Sequence, residues 1–130
     1  MATGIEITTL GKEVIWNRTF KSTPDYTAVT QFESGTGTTT PTVSDTDLET
    51  GLSDTANFVS GWPTFQTASN QVTTRGYIDS ATDNGNDISE VGEWNTDGSP
   101  ILFSHAVFTA IEKTTSVTVT FIWKYRLVDI

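Results

Sequence analysis

No cysteine occurs in the chain, so neither a disulfide framework nor a thiolate metal site can exist, and cysteine pairing says nothing about redox compartment. Stability has to come from packing or from partner subunits. Long apolar runs are missing as well, and the opening "MATGIEITTLGKEVIW" has no basic region followed by an apolar stretch. No secretion signal and no membrane insertion are therefore expected. Bases are scarce, with 7 Lys and Arg against 16 Asp and Glu and a formal net charge of -9. Phosphate binding is driven by clustered Lys and Arg, so a nucleic-acid partner is excluded. The acidity reads as an ordinary solubilising surface. Histidine occurs once, as His105. It lies within a strand-like stretch, which points to a packed or inter-subunit side chain and away from a general base.

What is present is threonine, aromatic residues and alternation. At 130 residues with 35% hydrophobic and 11% aromatic content, the chain can build one domain around one core. In "SVTVTFIWKYRLVDI", Val117, Val119, Phe121, Trp123, Tyr125 and Leu127 share one face, with Ile122 and Val128 as exceptions that a neighbour would cover. "ILFSHAVFTAIEK" is apolar on both faces, and "ISEVGEWNTDGSPILF" reads as a strand, an Asp97-Gly98 turn and the next strand. These predict three consecutive antiparallel strands. "FQTASNQVTTRGYI" supplies one or two more, and "EVIWNRTF" and "YTAVTQFE" two at the front. The expected fold is all-β, an antiparallel sandwich of immunoglobulin-like or jelly-roll-like kind with about 6–8 strands. It forms a single domain over residues 1–130, with an extended arm over residues 1–12.

The stretch "SGTGTTTPTVSDTDLE" calls for a separate reading. It has no lysine and runs into a proline, so it is no phosphate loop. Ser44 and Thr46 precede Asp47 and Glu49 at capping-box spacing, which predicts one short helical turn near residues 45–51 with its acids at the positive helix end. On this reading the stretch is a structural joint: Gly35 and Gly37 release the chain from its strand, Pro41 stiffens it, Ser44 and Asp45 start the turn, and Leu48 anchors it in the core. Neither "DTDLE" nor "DNGNDISE" has the spacing of a calcium loop, and no cofactor or metal is expected. Glu90 and Glu93 are a carboxylate pair that only coordinates can judge for glycosidic chemistry. Trp62 in "SGWPTF", and secondarily Trp94, are candidates for stacking on a sugar or receptor. Trp16 and Trp123 are expected in the core or at a subunit interface.

In order along the chain, the G-T-G-T-x-x-P-x-x-x-D-x-x-L pattern (Gly35, Gly37, Pro41, Asp45, Leu48), the hairpin Glu90, Val91, Gly92, Asn95, and the strand Ala106, Phe108, Ile111, Lys113 come before a threonine- and tryptophan-rich final strand. This layout resembles small tail, tail-fibre and baseplate-associated proteins of tailed bacteriophages, prophages and related archaeal viruses, from about Tyr26 onward. The pattern departs from that family at Glu93, usually apolar there, and at His105, often arginine there. The resemblance implies a virion structural protein without enzymatic activity, located in the virion and made in the host cytoplasm. Its partners would be itself, as a trimer or hexamer, and other virion proteins. Alternatives are a capsid decoration or turret protein, and a carbohydrate- or receptor-binding module that contacts a host-surface glycan through Trp62 and Trp94.

Overall fold

The computed structural model describes residues 4–52 and 55–127. Along the chain come β1 (Gly4–Ile7), α1 (Thr9–Phe20), β2 (Val29–Gly35), β3 (Ala56–Asn57) and β4 (Thr64–Gln66). A 3-10 turn at Thr67–Ser69 precedes β5 (Gln71–Ile78), β6 (Asn86–Asn95), β7 (Leu102–Lys113) and β8 (Val119–Arg126). Two antiparallel sheets result, one ordered β1-β7-β6-β2-β3 and the other β4-β5-β8. The all-β sandwich expected from the sequence is the fold observed.

Alternation explains the core. On β8, Val119 and Trp123 are buried and Phe121 and Tyr125 half-buried, while Thr120, Lys124 and Arg126 face out. They meet Phe32, Ile88 and Val91 of the larger sheet together with Ile78 of β5. Rings cross between the sheets, with Phe32 to Phe121 at 6.1 Å and Phe103 to Tyr125 at 5.3 Å, edge to face. Ile122 has no such cover and is 60% exposed, and Leu127 is exposed too, contrary to the sequence reading. Val128 lies outside the described residues.

Three other expectations are corrected. The stretch "EVIWNRTF" is the body of α1 and not a strand. Its helix is set by context: Thr8 Oγ1 accepts from the Gly11 amide at 2.9 Å as N-cap and donates to the Leu102 carbonyl at 2.6 Å. Gly11 lets the helix backbone lie against the Phe103 carbonyl of β7, where a methyl group would collide. Residues 4–12 form no extended arm, because Gly4–Ile7 pairs with β7 and residue 9 opens the helix; residues 1–3 lie outside the described residues. Finally, β8 does not continue the β6–β7 meander but crosses to the other sheet and pairs with β5 from Ile78↔Val119 to Gln71↔Arg126. The Asp97-Gly98 pair does lie in the β6–β7 connection, where Asp97 accepts from the Thr27 amide and the Asn95 side chain.

Candidate functional site

No helix forms over residues 45–51. The excursion between β2 and β3 is closed at its neck by backbone pairing of Thr36 with Thr50 and of Leu52 with Ser34. It then folds over the outer face of the larger sheet. Leu48 is buried with Trp94 and Leu102, Pro41 is buried, and the Val43 carbonyl accepts from the Thr9 amide at 2.7 Å. β6 is therefore buried on both faces, one by the opposite sheet and one by this loop.

The loop is held by a buried carboxylate. Glu90, fully buried on β6, accepts at Oε1 from the Gly37 amide (2.9 Å) and the Thr50 amide (2.7 Å). Its Oε2 accepts from the Glu49 amide (3.1 Å) and from His105 Nε2 (2.7 Å). Four donors match the roughly four acceptor positions of a carboxylate. His105 Nδ1 meets Asp45 Oδ2 at 2.8 Å. Ionised carboxylates only accept, so an imidazolium donating at both nitrogens satisfies the Asp45–His105–Glu90 row. Burial disfavours that cation, but the bonds to Glu90 and Asp45 outweigh burial and raise the His105 pKa. Burial likewise works to raise Glu90 and Asp45. For Glu90 the bonds to His105 and three amides prevail, and for Asp45 those to the Thr42 amide, His105 and the Thr42 hydroxyl, so both end lowered.

Asp45 thus serves His105 and caps its own turn through the Thr42 amide and hydroxyl, both at 2.9 Å. Ser44 caps nothing and bonds the Thr42 hydroxyl at 3.0 Å. Gly35 and Gly37 are required by close approach: a Cβ at either would sit 2.5 or 2.6 Å from Glu90 Oε1. With both ring nitrogens engaged, His105 has no lone pair free to take a substrate proton. The row is an ionic latch on the loop. His105 bonds both carboxylates, and among the described residues no cluster of His, Asp and Glu is arranged to hold a metal ion. In "DNGNDISE", Asp83 accepts from the Ser34 hydroxyl at 2.7 Å and Glu90 belongs to the latch; just upstream, Asp79 is occupied by the Ala81 amide and the Thr82 hydroxyl.

Glu93 faces the other way, into the sandwich. It is 2% exposed, and it accepts from the Thr74 hydroxyl at Oε2 and from the Tyr125 hydroxyl at Oε1, the latter at 2.7 Å. Because Tyr125 spends its proton on Glu93, Ser104, 2.5 Å from the same hydroxyl, donates to it. Burial pushes the Glu93 pKa up to about 7, against the two hydroxyl bonds. Burial first, then the charge of Glu93, raises Tyr125 well above its ordinary 10. Glu90 and Glu93 occupy opposite faces of β6 and cannot flank one glycosidic bond. Glu93, Thr74 and Tyr125 stand at the polar end of a cleft of about 540 Å³ between the sheets beneath α1, otherwise walled mainly by apolar side chains.

Trp123 lies in the core, as expected, whereas neither stacking candidate presents a free ring. Trp94 is buried at 7% exposure among Leu48 and Leu102 and is not presented to a ligand. Trp62 is half-buried against the core, with the Arg75 guanidinium 5.1 Å from its ring centroid, so cation–π stacking occupies a face a sugar would need. Trp16, by contrast, is 62% exposed on α1 and stacks on Phe20, itself 76% exposed, at 5.8 Å. Trp16 therefore lies outside the core, one of the two places expected for it; Trp and Phe four positions apart on a helix are the signal for this pair, which a strand assignment of the segment hides.

Compared with known proteins, the chain matches no family model, no curated protein and no solved structure. The resemblance to tail-associated proteins therefore rests on the quoted motifs. Among the described residues no helix is long and apolar enough to cross a membrane.

Proposed function

We propose that the chain is a structural component of a tailed virus particle, in its tail, baseplate or fibre, and that it works by binding further copies of itself and neighbouring virion proteins. The carrying observation is the uncovered aromatic pair of α1. Trp16 and Phe20 are large, stacked on each other and exposed, on a helix whose other side is spent on β7. Aromatic side chains gathered on one surface are what association interfaces are rich in. A second copy is the occupant proposed for this face. The open edge of β8 offers a row of backbone groups for further contacts by strand addition. A capsid-decorating role would use the same surfaces on another symmetry axis.

Sedimentation equilibrium tests the association. The expected result is a concentration-dependent trimer or hexamer that the double variant Trp16→Ser, Phe20→Ser reduces to monomer with an unchanged circular dichroism spectrum. A wild-type chain that stays monomeric at about millimolar concentration overturns the self-association. Detection of the chain in purified tailed particles, and its location by labelling at the tail or on the head, checks the viral placement.

A further inference from the structure

The cleft between the sheets is unused by the assembly reading, and its chemistry is specific. Its volume of about 540 Å³ lies in the range of small-molecule sites. Ile7, Ile15, Val72 and Phe103 contribute apolar wall, and exposed Phe65 and Leu127 form its rim. At the polar end is a carboxylate that is nearly inaccessible to water yet has only two partners, both neutral hydroxyls. Each Glu93 oxygen keeps a second acceptor position that no donor among the described residues reaches. No cation among the described residues lies within ion-pair distance of it; Arg126, the base on the cleft wall, is exposed. A buried carboxylate without a cationic partner is costly, and a cation brought by a ligand offsets that cost.

We propose that this cleft binds a small apolar molecule bearing a protonated primary amine, with the ammonium on Glu93 and the hydrocarbon along the apolar walls. An ammonium brings three donors and a charge to the two open acceptor positions, whereas an alcohol of the same length brings one donor and no charge. Thr74 and Tyr125 act as positioning residues, since their hydroxyls hold the carboxylate at the cleft wall and leave each of its oxygens one acceptor position.

n-Hexylammonium and n-hexanol are suitable probes, titrated by calorimetry and by two-dimensional NMR at about pH 8, where Glu93 is ionised. The expected result is one saturable site, shift changes centred on Thr74, Glu93 and Tyr125, and at least roughly tenfold tighter binding of the amine than of the alcohol. Glu93→Gln should abolish that preference while leaving alcohol binding in place. Phe65→Ser, at an exposed rim position, should weaken both probes together. The wild-type NMR comparison of the two probes stands without any variant, should Glu93→Gln fold poorly. Absence of saturable amine binding, equal affinity for the alcohol, or a preference that survives in a folded Glu93→Gln chain would each overturn the proposal.

Discussion

Glu90 has four donors around it, one of them His105, whereas Glu93 lies deeper in the protein and has two, and the two carboxyls move in opposite directions from an ordinary 4.5. For Glu93 the folded chain keeps a proton between 4.5 and about 7 that the unfolded chain has released, so stability falls as pH rises through that window. The loss amounts to about 3 kcal/mol. Glu93→Gln should flatten this part of the profile in urea denaturation followed against pH. The latch behaves otherwise. Its lowered carboxylates stabilise the fold above their ordinary 3.8 and 4.5, and its raised histidine does so below 6.5, so its contribution is complete between 4.5 and 6.5. It declines toward acid as Asp45 and Glu90 protonate, and toward base as pH passes the raised His105 pKa. His105→Ala leaves Glu90 buried and short of one donor, and should cost about 3 kcal/mol, most visibly near pH 5.5. A uniform loss across pH in the same denaturation series would show that packing, and not the ion row, is what His105 supplies.

α1 and β8 are opposite cases at the scale of elements. β8 alternates from Val119 to Tyr125 with little interruption, and the alternation is the reason it can be found by eye. α1 carries Val14, Ile15 and Thr19, all β-branched, with Gly11 in its first turn, so local preference argues against a helix. What forms it is tertiary: the Thr8 cap reaching Leu102, and Gly11 admitting the Phe103 carbonyl. Gly11→Ala should therefore lower stability by about 2 kcal/mol or more, although alanine is the better helix former. A gain in stability on that change, measured by thermal unfolding, would sink the close-approach account. The joint divides the same way. Gly35, Gly37, Asp45 and Leu48 stand out in the sequence as a structural joint, and the structure places the last three in one latched loop with Gly35 ending β2 at its neck. Their partners Glu90 and His105 come from distant strands, and nothing local in the sequence pairs them; a sole histidine and a glutamate in apolar strands were the only traces. The carboxylate of Asp45 was open to a helix-start reading for that reason, whereas the fold uses it on His105. The cleft was not legible at all, since it arises only where β8 crosses to the second sheet.

For the whole molecule, charge decides how copies approach. The chain carries -9 in total, so most relative orientations of two copies are repulsive at low ionic strength. The α1 region is different: over residues 9–25 stand Lys12, Arg18 and Lys21 against Glu13 and Asp25, a net +1 that leaves -10 on the remainder. The aromatic pair thus lies on a segment that does not add to the repulsion, and a contact between copies through it would be apolar, hence little weakened by salt. Screening should then favour assembly. Raising salt from about 0.05 M to about 0.5 M shortens the range of the repulsion severalfold and should tighten self-association on the order of tenfold. Sedimentation equilibrium at both salt levels reads this directly, with the Trp16→Ser, Phe20→Ser chain expected to remain monomeric at each. Association that instead loosens as salt is added would mean that ion pairs between copies carry the contact, and would move the interface from the aromatic face of α1 to an acidic surface meeting its few bases.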